Sequence, residues 1–135
     1  MKTKRIVLAS SKAFIALSAL SLLSVSLMAL KNPQSVMDMV NVQLSNNDAF
    51  SSIRGVYGGV GLTIFISLIY LLKKDVKKGL GFLCLLWGLY AVSRMITIST
   101  EGALGAFGSQ WLIIESSFFT IAAALLILNK KYITE

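Results

Sequence analysis

Three ionisable side chains in or beside long apolar runs are the candidates for a functional site in this chain. Arg54, Arg94 and Glu115 each lie in or at the edge of a stretch that is otherwise apolar. A charged group is costly to bury in apolar surroundings unless it has a partner. Guanidinium groups bind carboxylates and phosphates through paired hydrogen bonds. These residue types therefore indicate recognition of a polar or anionic molecule, or an internal ion pair.

The sequence has few of the residue types that catalytic and metal-binding sites use. There is no histidine, and the one cysteine, Cys84, lies in an apolar run, where we interpret it as a packing residue. No usual nucleophile–base pair can be assembled, and Glu101 or Glu115 could act only as a lone acid or base. The six acidic residues lack the spacing of a calcium loop. We predict a protein that is not an enzyme and has no metal, haem or other cofactor.

The composition indicates that lipid is part of the solvent of this protein. Of its 135 residues, 56% are hydrophobic and 14% are charged, which is about half the charged fraction of soluble proteins. A soluble fold of this size has too little interior to hide so much apolar surface. The net charge of +7 comes from short lysine clusters beside the apolar runs. We therefore expect the lipid bilayer as a partner, and no nucleic acid.

Four segments have the length and apolar character of membrane-spanning helices, which need about 20 residues each. They are residues 13–30, 53–72, 80–99 and 111–128. The first could be a cleaved signal peptide. We predict a retained helix instead, because the apolar run is longer than a typical signal core and Leu27 interrupts the small-residue pattern ending at Ala29.

The basic residues predict the direction of these spans, because short cytoplasmic connections are rich in lysine and arginine. Both termini and the second connection are basic, whereas the first and third connections are poor in basic residues. The fold class we predict is an all-α, four-helix antiparallel transmembrane bundle, forming one domain over residues 1–135. Both termini would be cytoplasmic, in the inner membrane of a bacterium. The residues on which this orientation rests are Lys2, Lys4, Arg5, Lys12, Lys73, Lys74, Lys77, Lys78, Lys130 and Lys131.

The first outer connection has a helical pattern of its own. Asn32 followed by Pro33 is typical of an N-cap and a first helical residue. The pattern predicts a short amphipathic helix over about 33–45, lying on the outer surface or forming a lid. Its apolar face would consist of Val36, Met37, Val40 and Leu44.

Glycines crowd the start of the second span. A phosphate-binding loop would join a strand to a helix and, in the Walker form, would end in Gly-Lys-Ser/Thr, but this run opens a membrane helix. Gly55 and Gly59 form a GxxxG face that would allow close approach of another helix. We assign the whole group to helix packing: Gly55, Gly58, Gly59 and Gly61.

The predicted topology places the charged residues near the outer leaflet. Arg94 would lie about 7 Å from the outer end of the third span, and Glu115 about 6 Å into the fourth. They would form either a salt bridge that fixes helix register, or part of an outward-facing pocket for an anionic or zwitterionic lipid headgroup or small polar ligand. The candidate ligand-binding residues are Arg54, Tyr57, Arg94, Glu101 and Glu115.

The same residues carry a resemblance to a known family. Arg54-Gly55-x-Tyr57-Gly58-Gly59, then Arg94, Glu101-Gly102 and Glu115 resemble a bacterial membrane family known as domain of unknown function 4345. The resemblance implies four helices, with an arginine late in the third and a glutamate in the fourth. The family commonly has aspartate where this chain has Glu101. The resemblance implies no activity.

Two functions stay open at this point. The first is a non-enzymatic accessory or ligand-binding protein built around the outer polar residues. The alternative is a dimeric small-molecule or proton-coupled transporter, similar in length to small multidrug exporters. Those exporters have an essential glutamate in the first helix, whereas the first span here has no acidic residue. A homo-oligomer is compatible with either function.

Overall fold

The computed structural model describes residues 2–133, and over that range it contains helices and no strand. Four of its helical stretches are long and apolar enough to cross a membrane: Lys2–Lys31, Asn47–Lys74, Val76–Thr100 and Ala106–Tyr132. The second stretch is built from three consecutive pieces, with a π-helical segment in the middle. The elements in order are α1 (Lys2–Lys31), α2 (Pro33–Asp38), α3 (Asn47–Ile53), the π-helical segment (Arg54–Val60), α4 (Gly61–Lys74), α5 (Val76–Thr100) and α6 (Ala106–Tyr132).

Each of the four predicted segments lies within one of these helical stretches, and each stretch extends beyond the predicted limits. The apolar run defines the part that can cross lipid, but the polar flanks continue the same hydrogen-bonded helix. Side-chain caps mark two of the starts. Asn46 accepts a hydrogen bond from the backbone N–H of Ala49, and Asp75 accepts one from the backbone N–H of Lys78.

The predicted outer helix over 33–45 is wrong in its extent, because α2 ends at Asp38. The chain then turns through Asn41, which has a φ of 57° in the left-handed region that asparagine tolerates. The Gln34 side chain holds the returning segment: its Nε2 donates to the carbonyl oxygen of Val42, and its Oε1 accepts from the N–H of Leu44, both at 2.9 Å. Val40, predicted on the apolar face, is exposed as a result.

The rest of the predicted apolar face is packed as expected, although by a different route. Val36 and Met37 are buried together with Ala29 of α1, and the partly buried Leu44 packs against them. Leu44 reaches this cluster through the turn after α2, and not through helical periodicity. The connection between α1 and α3 is therefore a compact loop packed on a small core that it shares with the end of α1.

The described residues form two compact units. The terminal unit contains residues 2–15 and 71–133, and the central unit contains residues 16–70. In the terminal unit α5 and α6 pack against each other. The Phe118 ring of α6 makes edge-to-face contacts with Trp87 of α5, at 5.0 Å between centroids, and with Phe14 of α1, at 5.4 Å. These aromatic contacts fix the register of three helices.

In the central unit the glycines divide into two pairs. A Cβ at Gly58 would lie 2.7 Å from the Leu30 side chain, and a Cβ at Gly61 would collide with the Ser26 hydroxyl. Gly55 and Gly59 have open space where a Cβ would be. Within this chain, the close approach of α1 therefore uses Gly58 and Gly61, and the GxxxG pair is not part of that contact. A π-helical segment shifts the side-chain register relative to an α-helix, so α-helical spacing does not identify the glycines that face α1.

Candidate functional site

Arg94 of α5 and Glu115 of α6 form a two-point ion pair. Arg94 Nε donates to Glu115 Oε2 at 2.6 Å, and Arg94 Nη2 donates to Glu115 Oε1 at 2.8 Å. This paired geometry is the strongest arrangement open to a guanidinium and a carboxylate. The salt bridge predicted from the shared depth of the two residues is present.

Helical spacing explains why the two charges meet. Trp87, Ala91 and Arg94 follow one another at intervals of four and three residues, so they share one face of α5. Glu115 and Phe118 share a face of α6 for the same reason. Because Trp87 packs on Phe118 and Arg94 on Glu115, α5 and α6 run antiparallel. The ion pair lies one to two turns from the aromatic contact.

The two charges differ in exposure. The Glu115 side chain is 3% exposed, whereas that of Arg94 is 23% exposed. The carboxylate is thus enclosed by protein, and the guanidinium reaches the boundary of the terminal unit. A molecule that approaches the pair would meet a positive charge, whose balancing carboxylate lies behind it.

Arg54 and Tyr57 belong to the π-helical segment of the central unit. Arg54 Nε donates to the carbonyl oxygen of Leu30 at 3.1 Å, in the last turn of α1. A cation at this position satisfies a terminal carbonyl and opposes the negative end of the helix dipole. Tyr57 is 40% exposed. The contact with Leu30 gives Arg54 a role in ending α1 that the sequence did not reveal.

Glu101 lies at the C-terminal end of α5, in the short connection to α6. Its N–H donates to the carbonyl oxygen of Thr97 at 2.8 Å, and its carboxylate accepts from the hydroxyl of Thr100. The next residue, Gly102, has a φ of 103°, a backbone conformation that residues other than glycine rarely adopt. The exposed Glu101 therefore begins a glycine-dependent turn.

Sequence reasoning missed a second buried polar contact in the terminal unit. Asn129 Nδ2 donates to Ser11 Oγ at 2.6 Å and to the carbonyl oxygen of Leu125 at 2.8 Å. Ser11 in turn donates to the carbonyl oxygen of Val7 at 2.7 Å. Both residues are buried, but each lies just outside a predicted span, where a polar residue is expected to face solvent and not a neighbouring helix. Only their pairing across 118 positions of the chain shows their role.

Comparison with known proteins gives one match. No curated protein and no solved structure is detectably similar to this chain. One sequence family, described as Domain of unknown function (DUF4345), matches residues 10–126. The match includes Arg54, Tyr57, Arg94, Glu101 and Glu115 within its range. Because it extends over most of the sequence, the chain belongs to the DUF4345 family.

Proposed function

We propose that this multi-pass membrane protein is a non-enzymatic binding protein whose site is centred on the Arg94–Glu115 ion pair. The ligand class is an anionic or zwitterionic headgroup, or a small polar molecule with a phosphate or carboxylate group. Arg94 would bind the anionic group. Glu115 would hold the guanidinium in place and balance its charge while the site is empty.

The observation that carries this proposal is a two-point ion pair inside two helices whose other charged residues lie only in their first or last turns. Removing two charges from water costs several kcal/mol each, and their attraction offsets this cost only with excellent geometry. Replacing such a pair by apolar side chains is often neutral or stabilising. Helix register alone therefore does not require these charges, and charged residues in membrane helices commonly belong to functional sites.

The unequal exposure of the pair supports an anionic group as the ligand. With Glu115 enclosed and Arg94 at the boundary, the accessible charge is positive. Arginine binds phosphate and carboxylate groups with directional hydrogen bonds, and in surroundings of low polarity these bonds strengthen. The ligand would share the guanidinium with Glu115.

We also propose that both termini are cytoplasmic, in a bacterial inner membrane, so that the ion pair lies toward the outer leaflet. The distribution of lysines and arginines supports this orientation. Single cysteines at Asn46 and Lys130, in a Cys84→Ser background, would test it with a membrane-impermeant maleimide. We expect Asn46→Cys to react in intact cells and Lys130→Cys only after lysis. The reverse pattern would overturn the orientation.

Native mass spectrometry of gently extracted protein, with lipid and metabolite identification, tests the binding function. The variants are Arg94→Ala, Arg94→Lys and the control Lys31→Ala, which removes an exposed positive charge from the end of α1. We expect the wild type and Lys31→Ala to retain a defined species that Arg94→Ala loses. Arg94→Lys should retain less, because an ammonium group cannot reproduce the fork of the guanidinium.

A thermal melt of each variant in the same detergent separates binding from folding. If Arg94→Ala loses the species while it melts as a folded protein, the ligand depends on the guanidinium. If the wild type holds no defined species, or if Arg94→Ala retains it unchanged, the proposed site is wrong. Proton-coupled export in proteoliposomes that Glu115→Gln abolishes would favour a transporter instead.

A further inference from the structure

One end of the terminal unit carries most of the thirteen lysines and arginines of this chain. They lie in the first three turns of α1, at the end of α4, in the first turn of α5 and in the last turn of α6. All of them are exposed. The residues are Lys2, Lys4, Arg5, Lys12, Lys73, Lys74, Lys77, Lys78, Lys130 and Lys131. We call this group the basic end.

Direct contacts hold three of these helices, α1, α5 and α6, together at the basic end. Asn129 of α6 donates to Ser11 of α1 at 2.6 Å. At the start of α5, a Cβ on Gly79 would lie 2.9 Å from Ile15 of α1, so the two helices approach closely there. The basic residues of these helices therefore lie on one packed surface, and not on separate, unpacked segments.

A cavity of about 220 Å³ lies within this surface. Its walls combine apolar side chains with a lysine, an asparagine and one carboxylate. Asp75 is that carboxylate, but it accepts from the N–H of Lys78 and lies 3.3 Å from Lys78 Nζ, which offsets its charge. The lining residues are Leu8, Asp75, Val76, Lys77, Asn129 and Ile133.

We infer that this cavity binds the headgroup of an anionic phospholipid. Lys77, in the first turn of α5, supplies the charge for the phosphate. Leu8, Val76 and Ile133 supply apolar contacts for the glycerol backbone and the upper acyl chains. The surrounding basic end draws anionic lipid toward the cavity, because each lysine near the membrane surface adds attraction.

The position of the cavity identifies a lipid, and not a soluble anion, as the ligand. Helices long and apolar enough to span a membrane end or begin beside it, so its level is the membrane interface. Three of the six lining residues are aliphatic, so a ligand that carries apolar groups beside its phosphate fits this lining better than an inorganic anion does. Basic pockets between membrane helices bind phosphate-bearing lipid headgroups in this manner. This site is separate from Arg94 and Glu115 and does not depend on their function.

Lipid retention measured by native mass spectrometry tests the inference. The purified protein is exchanged into detergent with equal amounts of phosphatidylglycerol and phosphatidylcholine, which share a phosphate but differ in net charge. Lys77→Gln removes the proposed phosphate partner, and Leu8→Trp fills the cavity while every charge stays in place. Lys31→Gln is the matched control, because it removes a lysine outside the basic end. Ile133→Trp replaces Leu8→Trp if that variant does not melt as a folded protein.

We expect the wild type and Lys31→Gln to retain phosphatidylglycerol in preference to phosphatidylcholine. Lys77→Gln should reduce that retention about fivefold, the factor for one lysine beside an anionic surface. Leu8→Trp should reduce it at least as much. Equal retention of the two lipids would overturn the inference. Unchanged retention of phosphatidylglycerol by Leu8→Trp would overturn it too, because the lipid would then be held by the basic end without the cavity. Displacement of the lipid by millimolar inorganic phosphate would show a site for a soluble anion.

Discussion

The two units of this protein fix their helices by different physical means. The terminal unit uses polar and aromatic side chains: the Arg94–Glu115 ion pair, the Asn129–Ser11 hydrogen bond and the edge-to-face contacts of Phe118. The central unit relies on close backbone approach at Gly58 and Gly61. Several of its serines bond to their own helix, as Ser26 does with the carbonyl oxygen of Leu22.

This difference bears on the meaning of the ion pair. In the central unit the described contacts between helices include the hydrogen bond from Arg54 to the Leu30 carbonyl but no ion pair. In the terminal unit α1 and α6 are joined by the neutral Asn129–Ser11 hydrogen bond and by the Phe14–Phe118 ring contact. Packing in this chain does not depend on ion pairs alone, which supports our proposal that Arg94 and Glu115 serve binding.

The largest effect on stability should follow from removing one partner of the ion pair and leaving the other in place. Glu115→Ala leaves a part-buried guanidinium without its carboxylate, and should lower the free energy of unfolding by about 3–5 kcal/mol. The double substitution Arg94→Met with Glu115→Leu should recover most of that loss, because no charge stays buried. Reversible unfolding in mild detergent measures both. A double variant as unstable as Glu115→Ala would mean that the pair is needed for folding itself.

Loss of the neutral contact should cost less than loss of the charged one. Asn129→Ala removes the hydrogen bonds to Ser11 and Leu125, and should lower the free energy of unfolding by about 1–2 kcal/mol. Ser117→Ala is the matched control, since its exposed hydroxyl bonds only within α6, to the carbonyl oxygen of Ile113. The control should change stability by less than about 0.5 kcal/mol. Equal effects of the two would contradict the role assigned to Asn129.

Glycine substitutions should show the mechanism of the central unit. Gly61→Ala places a methyl group against the Ser26 hydroxyl, and should destabilise by about 1–3 kcal/mol through overpacking. Gly59→Ala meets open space and should be nearly neutral. Removing the hydroxyl with Ser26→Ala should partly rescue Gly61→Ala in the same unfolding assay. If Gly59→Ala is the more damaging of the two, the packed face of this segment has been misassigned.

The smallest effect should be a dependence on pH at the start of α5. The backbone N–H of Lys78 donates to Asp75 and holds the pKa of that carboxyl below its ordinary value of 3.8. A carboxyl whose pKa is lower in the folded state stabilises the fold above its ordinary pKa, and this contribution disappears as the pH falls through the lowered value.

Asp75→Asn isolates that contribution, because asparagine caps a helix about as well as aspartate and does not titrate over this range. The melting temperature of the wild type relative to Asp75→Asn should be constant from pH 7 to pH 5 and should fall at lower pH. A difference that does not change with pH would contradict the contribution of the charged cap.

Much of this architecture can be predicted from local sequence. Runs of about 20 apolar residues specify spanning helices, because lipid cannot satisfy an unpaired backbone. The Asn32-Pro33 start of α2 was predicted correctly from capping chemistry, and the resemblance carried by Arg54, Arg94 and Glu115 identified the family. The equal depth of Arg94 and Glu115 predicted their ion pair, because helical rise is constant along a span.

The sequence did not predict the features that depend on backbone geometry other than a regular α-helix. The end of α2 at Asp38 follows from hydrogen bonds of Gln34 to residues that the turn brings back. The choice of Gly58 and Gly61 over Gly55 and Gly59 follows from the π-helical turn, whose register differs from the α-helical spacing of the motif. Neither feature leaves a local pattern in the sequence.

The number of long apolar helices, their approximate limits and the residue types available to the site follow from local sequence. Hydrophobic length and residue type are properties of each segment alone, so they need no tertiary information. The contact partners became known from the packed fold: Leu30 for Arg54, Ser11 for Asn129, and the cavity beside Lys77. Partners are set by the relative rotation and register of packed helices, which depend on all facing side chains at once.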